Sequence, residues 1–130
     1  MRNFTNVVFF LLGLFALVSP VSAKDIYYCA TDRITGFAPT LNYEENSYQN
    51  KRFNLEVDFE NQTMKSKKMH LQNRVSCELD PVWNTLYCLS QYGMTLALNK
   101  KTLKFFLSEM YLNQNPTDDV VVAHGSCEKF

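Results

Sequence analysis

The chain is poor in the residues from which most enzyme sites are built. It has two histidines, His70 and His124, and no Gly-x-Ser-x-Gly elbow, so a nucleophile–base pair has little to draw on. Only Gly36, Gly93 and Gly125 lie beyond the N-terminal apolar run, and they form no loop that could cradle a phosphate. No Cys-x-x-Cys occurs, and the cysteine spacing is unlike that of a zinc site. Asp118 and Asp119 are adjacent carboxylates without further oxygen ligands at loop spacing, which is too little for calcium. Charge of one sign is also missing: 13 basic residues balance 13 acidic ones, which argues against nucleic acid or acidic lipid as the main partner. The expectation is therefore a protein that is not an enzyme and holds no cofactor and no metal.

What is present begins with a leader. Arg2 precedes an apolar run over 7–18, too short to span a bilayer comfortably. Pro20 and the small-residue site Val21-Ser22-Ala23 then predict cleavage near Ala23. Residues 1–23 read as a signal peptide and 24–130 as a single β domain, with no stable membrane span after cleavage. The simpler alternative is an uncleaved anchor. All four cysteines follow the leader, so two disulfides in a secreted or periplasmic protein are expected.

The organising stretch is 75–90, VSCELDPVWNTLYCLS. Turning it at Asp80-Pro81-Val82-Trp83-Asn84 places Asp80 opposite Thr85, Leu79 opposite Leu86, Cys77 opposite Cys88 and Val75 opposite Ser90. Side chains alternate across a strand, so a slip of one residue would destroy this match. Directly opposed cysteines are close enough to bridge. Four cysteines allow three pairings. The register favours Cys77–Cys88, which leaves Cys29–Cys127 to tie the first strand to the last.

Other segments alternate as well. In 52–60 the apolar Phe53, Leu55, Val57 and Phe59 interleave with polar residues. A turn at Asn61-Gln62 would set Phe59 against Met64, Asp58 against Lys65 and Glu56 against Lys67. On that reading Lys65, Lys67 and Lys68 form a solvated face. Asn61-Gln62-Thr63 is also an N-glycosylation sequon, which matters only in a host that glycosylates exported proteins. Residues 94–99 and 103–110 form a third hairpin, turned at Lys100-Lys101, with Leu98 facing Leu103, Leu96 facing Phe105 and Met94 facing Leu107. Phe106 falls on its outer side. Residues 26–31 make a first strand, and 120–124 a last strand buried on both faces, followed by a tail at 128–130. Between them, 34–51 reads as the longest irregular stretch. The fold class is all-β: a small antiparallel barrel or sandwich of about seven or eight strands from consecutive hairpins.

Aromatic residues supply the candidate site. Trp83, the single tryptophan, lies in the turn of the stapled hairpin, either presented to a partner or folded back over the strands. Tyr87 and Tyr92 could extend a patch there. Phe37, Tyr43 and Tyr48 punctuate the irregular stretch and could form a binding loop or tuck onto the fold. The leading expectation is a non-enzymatic β domain that binds a protein or envelope component through an aromatic loop or turn. The alternatives are an enzyme inhibitor and a carrier of a small apolar ligand inside a barrel. Oligomeric state is not legible.

Tyr-Tyr-Cys near the mature start, consecutive hairpins and Gly-Ser-Cys at the end resemble small exported bacterial β proteins of unassigned function. The architecture and cysteine placement are also loosely similar to periplasmic lysozyme inhibitors of the small β-barrel type. That resemblance implies a barrel closed by a disulfide and, as function, inhibition of lysozyme. No motif matches the family's inhibitory loop, so no functional residue carries over.

Overall fold

The computed structural model describes residues 24–38, 41–67, 71–90, 93–110 and 119–130, and for 71–74 the backbone alone. Residues 1–23, expected to be a leader, and Lys68, His70, Tyr92 and Asp118 lie outside the described residues. Nine strands follow in order: β1 (Asp25–Phe37), β2 (Glu45–Tyr48), β3 (Arg52–Asp58), β4 (Thr63–Ser66), β5 (Leu71–Asp80), β6 (Thr85–Leu89), β7 (Met94–Asn99), β8 (Lys104–Met110) and β9 (Val120–Lys129). No α-helix occurs among the described residues.

All pairings are antiparallel. β3 to β9 pair in sequence order, and β1 pairs with both β3 and β9, which closes an eight-stranded barrel. β2 is extra: it lies on the outer half of β1, beyond the point where β3 begins. Closure gives each of the eight barrel strands two neighbours, which limits the edge that would otherwise invite pairing with other chains; β2 pairs with β1 alone among the described strands. Of the two architectures open to the sequence, the barrel is the one adopted.

The interior is built from alternate residues. Leu55, Met64, Leu86, Met94, Leu96 and Leu98 are all but fully buried, and Phe53 meets Phe105 edge-to-face with centroids 5.3 Å apart. An eight-stranded barrel is about wide enough for side chains to fill, and here large ones fill it. Two disulfides lie across neighbouring strands, Cys29–Cys127 and Cys77–Cys88, each between directly opposed residues. Such bridges belong to an oxidising compartment, extracellular or periplasmic.

The stapled hairpin has the expected register from Asp80–Thr85 to Cys77–Cys88. It stops there, because Ser90 turns away to bond the backbone of Met94. The flanking hairpins correct the expectation by two residues. Glu56 faces Lys65, Val57 faces Met64 and Asp58 faces Thr63. Likewise Leu98 faces Phe105, Leu96 faces Leu107 and Met94 faces Glu109. A shift of two preserves the inward face, so the core is unchanged.

The cause is a shared loop. All three hairpins turn through four residues, and the last residue of each has a left-handed backbone: Gln62, Asn84 and Leu103 have φ of 50°, 52° and 55°. The residue before each loop is Asp58, Asp80 or Asn99. Its side-chain oxygen accepts loop N–H groups: from Asn61 at 2.9 Å, from Val82 and Trp83, and from Lys101 and Thr102. Short Asx side chains make this local turn mimic. Asp58 is thereby a buried turn cap, and it faces Thr63 rather than Lys65.

Strand β1 corrects the irregular stretch. It runs through Phe37, with a bulge at Asp32 where the register against β9 shifts. Tyr27, Cys29 and Thr31 face inward before the bulge, and Ile34 and Gly36 after it, so the alternation changes phase. Strand β9 likewise runs on to Lys129, whose ammonium pairs with Asp25 at 2.8 Å; the expected tail is strand. Its start is not enclosed on both faces: Val120, Val121 and Val122 are all half-buried, and strict alternation begins at Ala123. Gly125 permits close approach to β1, since a Cβ there would collide with the Ala30 carbonyl oxygen.

Candidate functional site

The three four-residue loops gather at one end of the barrel, together with the start of β1 and the end of β9. Phe59 helps to close this end, edge-on to Tyr27, with the Lys100 ammonium 5.2 Å from its ring centroid. Burial, with the Asp25 carboxylate alongside, pushes the Tyr27 hydroxyl up to about 12.

The β5–β6 loop projects from this end. Val82 is 76% exposed and Trp83 69% exposed, so the tryptophan does not fold back over the hairpin. Its backbone is nonetheless tightly held. Asp80 Oδ1 accepts the N–H groups of Val82 and Trp83 at 2.8 and 3.1 Å. The Trp83 carbonyl accepts Asn99 Nδ2 at 2.8 Å and the Thr85 hydroxyl at 3.2 Å, and the Asn84 carbonyl accepts the Lys100 N–H at 2.8 Å. The Cys77–Cys88 bridge locks the strands beneath. The result is a large aromatic surface on a fixed backbone.

The other aromatic candidates do not converge on it. Tyr87 points outward from β6, half-exposed, with Glu78 and Ala97 as cross-strand neighbours. Phe37 and Tyr43 lie at the opposite end, near the β1–β2 loop, both exposed. Tyr43 has a left-handed backbone with φ of 58°. Tyr48 is half-buried against the core and donates its hydroxyl to Asp119 Oδ2 at 2.5 Å. That hydrogen bond raises the Tyr48 pKa. Tyr48 thus ties β2 to the start of β9.

Groups with chemical potential are dispersed. Among the described residues no cluster of three or more His, Cys, Asp or Glu could hold a metal ion. His124 is exposed beside Asp32, at 3.8 Å. Every described cysteine is bridged.

Alternation in the stapled hairpin puts Leu89 outside, as observed, whereas the exposure of Tyr28, Ile26 and Phe130 is not among the expectations. A signal for Tyr28 was available: with Cys29 turned inward to its bridge, alternation puts Tyr28 outside.

No family model matches the chain, and no curated protein or solved structure is detectably similar to it. A barrel of this kind carries no particular activity by itself, so function has to be argued from the site.

Proposed function

We propose that this protein is an exported, non-enzymatic domain that grips another macromolecule with Val82 and Trp83. The observation that carries the reading is the exposure of Trp83 on a backbone held by three hydrogen-bond partners and braced by a disulfide. Tryptophan is the residue type most enriched among binding hot spots, and a pre-ordered turn loses little entropy when it docks. The filled barrel interior supports surface recognition over carriage of an apolar ligand.

The test is quantitative affinity capture from the native envelope or medium, with the wild-type protein, Trp83→Ala and Tyr43→Ala. The expected result is a partner retained by wild type and by Tyr43→Ala, and bound at least about 30-fold more weakly by Trp83→Ala. Equal recovery of every partner by all three proteins would overturn the reading. A parallel lysozyme assay shows whether that partner is an enzyme under inhibition.

A further inference from the structure

The outer face of the barrel has a second feature, away from the β5–β6 loop. Ala30 of β1 stands opposite Ser126 of β9 and Arg52 of β3. Over the small Ala30 and Ser126 a groove of about 450 Å³ opens, lined also by Tyr28, Arg52, Asn54 and Glu128. A second groove of about 280 Å³, lined by Ile26, Glu56, Lys65 and Lys67, shares Asn54 with the first. Ile26 and Tyr28 are alternate residues of one strand, opposite Glu56 and Asn54, so the grooves meet. The joined cleft crosses β9, β1, β3 and β4, three strand spacings or about 14 Å.

We propose that this cleft binds a short acidic oligosaccharide. The half-exposed Tyr28 ring, 47% accessible, gives a flat apolar surface for the C–H face of a sugar. Phe130 props that ring edge-to-face, with centroids 5.5 Å apart. The polar lining mixes donors and acceptors: Arg52, Asn54 and Ser126 donate, Glu128 accepts, and Asn54 does both. Hydroxyl groups, which donate and accept, match such a mixture.

Charge selects the acidic sugar. Glu56 stands directly opposite Lys65, while Arg52 and Lys67 add positive charge at either side of Asn54. A guanidinium fork pairs with a carboxylate through two parallel hydrogen bonds. A nucleic-acid strand suits the cleft less well. Stacking platforms use several rings along a strand, whereas the lining offers the exposed ring of Tyr28, with Phe130 beside it.

The test titrates oligogalacturonate into isotope-labelled protein at low salt and follows the amide resonances. Shifts are expected on β1, β3, β4 and β9 around Tyr28, Asn54 and Ser126. A neutral galactose oligomer of equal length should bind about tenfold more weakly, and added salt should reduce only the acidic ligand's advantage. Tyr28→Ala truncates an exposed side chain and should weaken both ligands about tenfold. Arg52→Gln should bring acidic and neutral ligands to parity. Trp83→Ala should leave the titration unchanged, so this site and the Trp83 site stand or fall separately. Absence of shifts on these strands would overturn the proposal. So would an undiminished titration by a folded Tyr28→Ala protein.

Discussion

Asn99 Nδ2 donates to the carbonyl oxygen of Trp83 at 2.8 Å, so the last residue of β7 holds the loop between β5 and β6. The same side chain caps its own loop through Oδ1, accepting from Lys101 and Thr102 at 3.0 and 2.9 Å. One amide therefore orders two neighbouring turns at the same end of the barrel.

Asn99→Ala should therefore do two things at once. It should lower stability by about 1 kcal/mol, the usual worth of a side-chain cap. It should also loosen the Trp83 backbone. Trp83 is the single tryptophan, so its fluorescence reports on the loop directly. In the native protein its emission should be close to that of the unfolded chain and open to iodide quenching. The variant should show faster, wider motion by anisotropy decay. A blue-shifted, protected native emission would contradict the exposed placement.

The two disulfides should contribute unequally. Cys29–Cys127 spans 98 residues of chain and Cys77–Cys88 spans 11. In the loop-entropy account the longer crosslink is worth about 4–5 kcal/mol and the shorter about 3 kcal/mol. Only the longer one also joins the two strands whose pairing closes the barrel. Urea midpoints of the paired Cys→Ala variants should fall further for 29/127 than for 77/88. The reverse order would mean that closure of the barrel does not depend on its covalent tie.

The parts of the fold that were legible share one cause. Inward faces follow from alternation, and the Cys77–Cys88 register follows from alternation plus a loop marked by Pro81. The neighbouring hairpins depart from the expected register because Phe59-Glu60-Asn61-Gln62 and Lys100-Lys101-Thr102-Leu103 carry no proline or glycine to mark the loop. Their loop length is set instead by Asp58 and Asn99 as caps and by left-handed Gln62 and Leu103. Strand β1 outruns the alternation in its sequence because the bulge at Asp32 changes the phase, and Gly36 resembles a breaker. In fact Gly36 marks close contact: a Cβ there would lie 2.5 Å from the Val120 carbonyl oxygen. For the site, the place of Trp83 on a turn was readable, but its outward direction was not. The separation of Trp83 from Phe37 and Tyr43 depends on barrel topology, which no local pattern encodes. The cleft at Tyr28 draws on strands distant in sequence, so it too was invisible.

Strand β6 offers a direct test of which face is the interior. Leu86 is 0% exposed and Leu89 is 65% exposed, three residues further along. Leu86→Ala should cost about 2–5 kcal/mol, through lost transfer energy and the cavity left behind. Leu89→Ala should stay within about 0.5 kcal/mol, as surface changes usually do. Denaturant midpoints at unchanged m-value would measure both. Equal costs would place the wall of the barrel somewhere other than the alternation demands.

Alkaline pH should destabilise the protein from the ordinary tyrosine range upward. Tyr27 is raised from 10.0 to about 12, first by burial and then by the neighbouring Asp25 carboxylate. The folded protein thus keeps this proton where the unfolded chain has already released it. Between about pH 10 and 12 the unfolded state binds fewer protons, so stability falls as pH rises. Below pH 10 the contribution is fully present. Tyr48 acts in the same direction through its bond to Asp119, so both tyrosines steepen the decline. Tyr27→Phe keeps the packing against Phe59 and removes one titrating group. Its stability should therefore fall less steeply than wild type across this window, read from urea midpoints at each pH. Parallel slopes for the two proteins would show that the Tyr27 hydroxyl ionises as freely folded as unfolded.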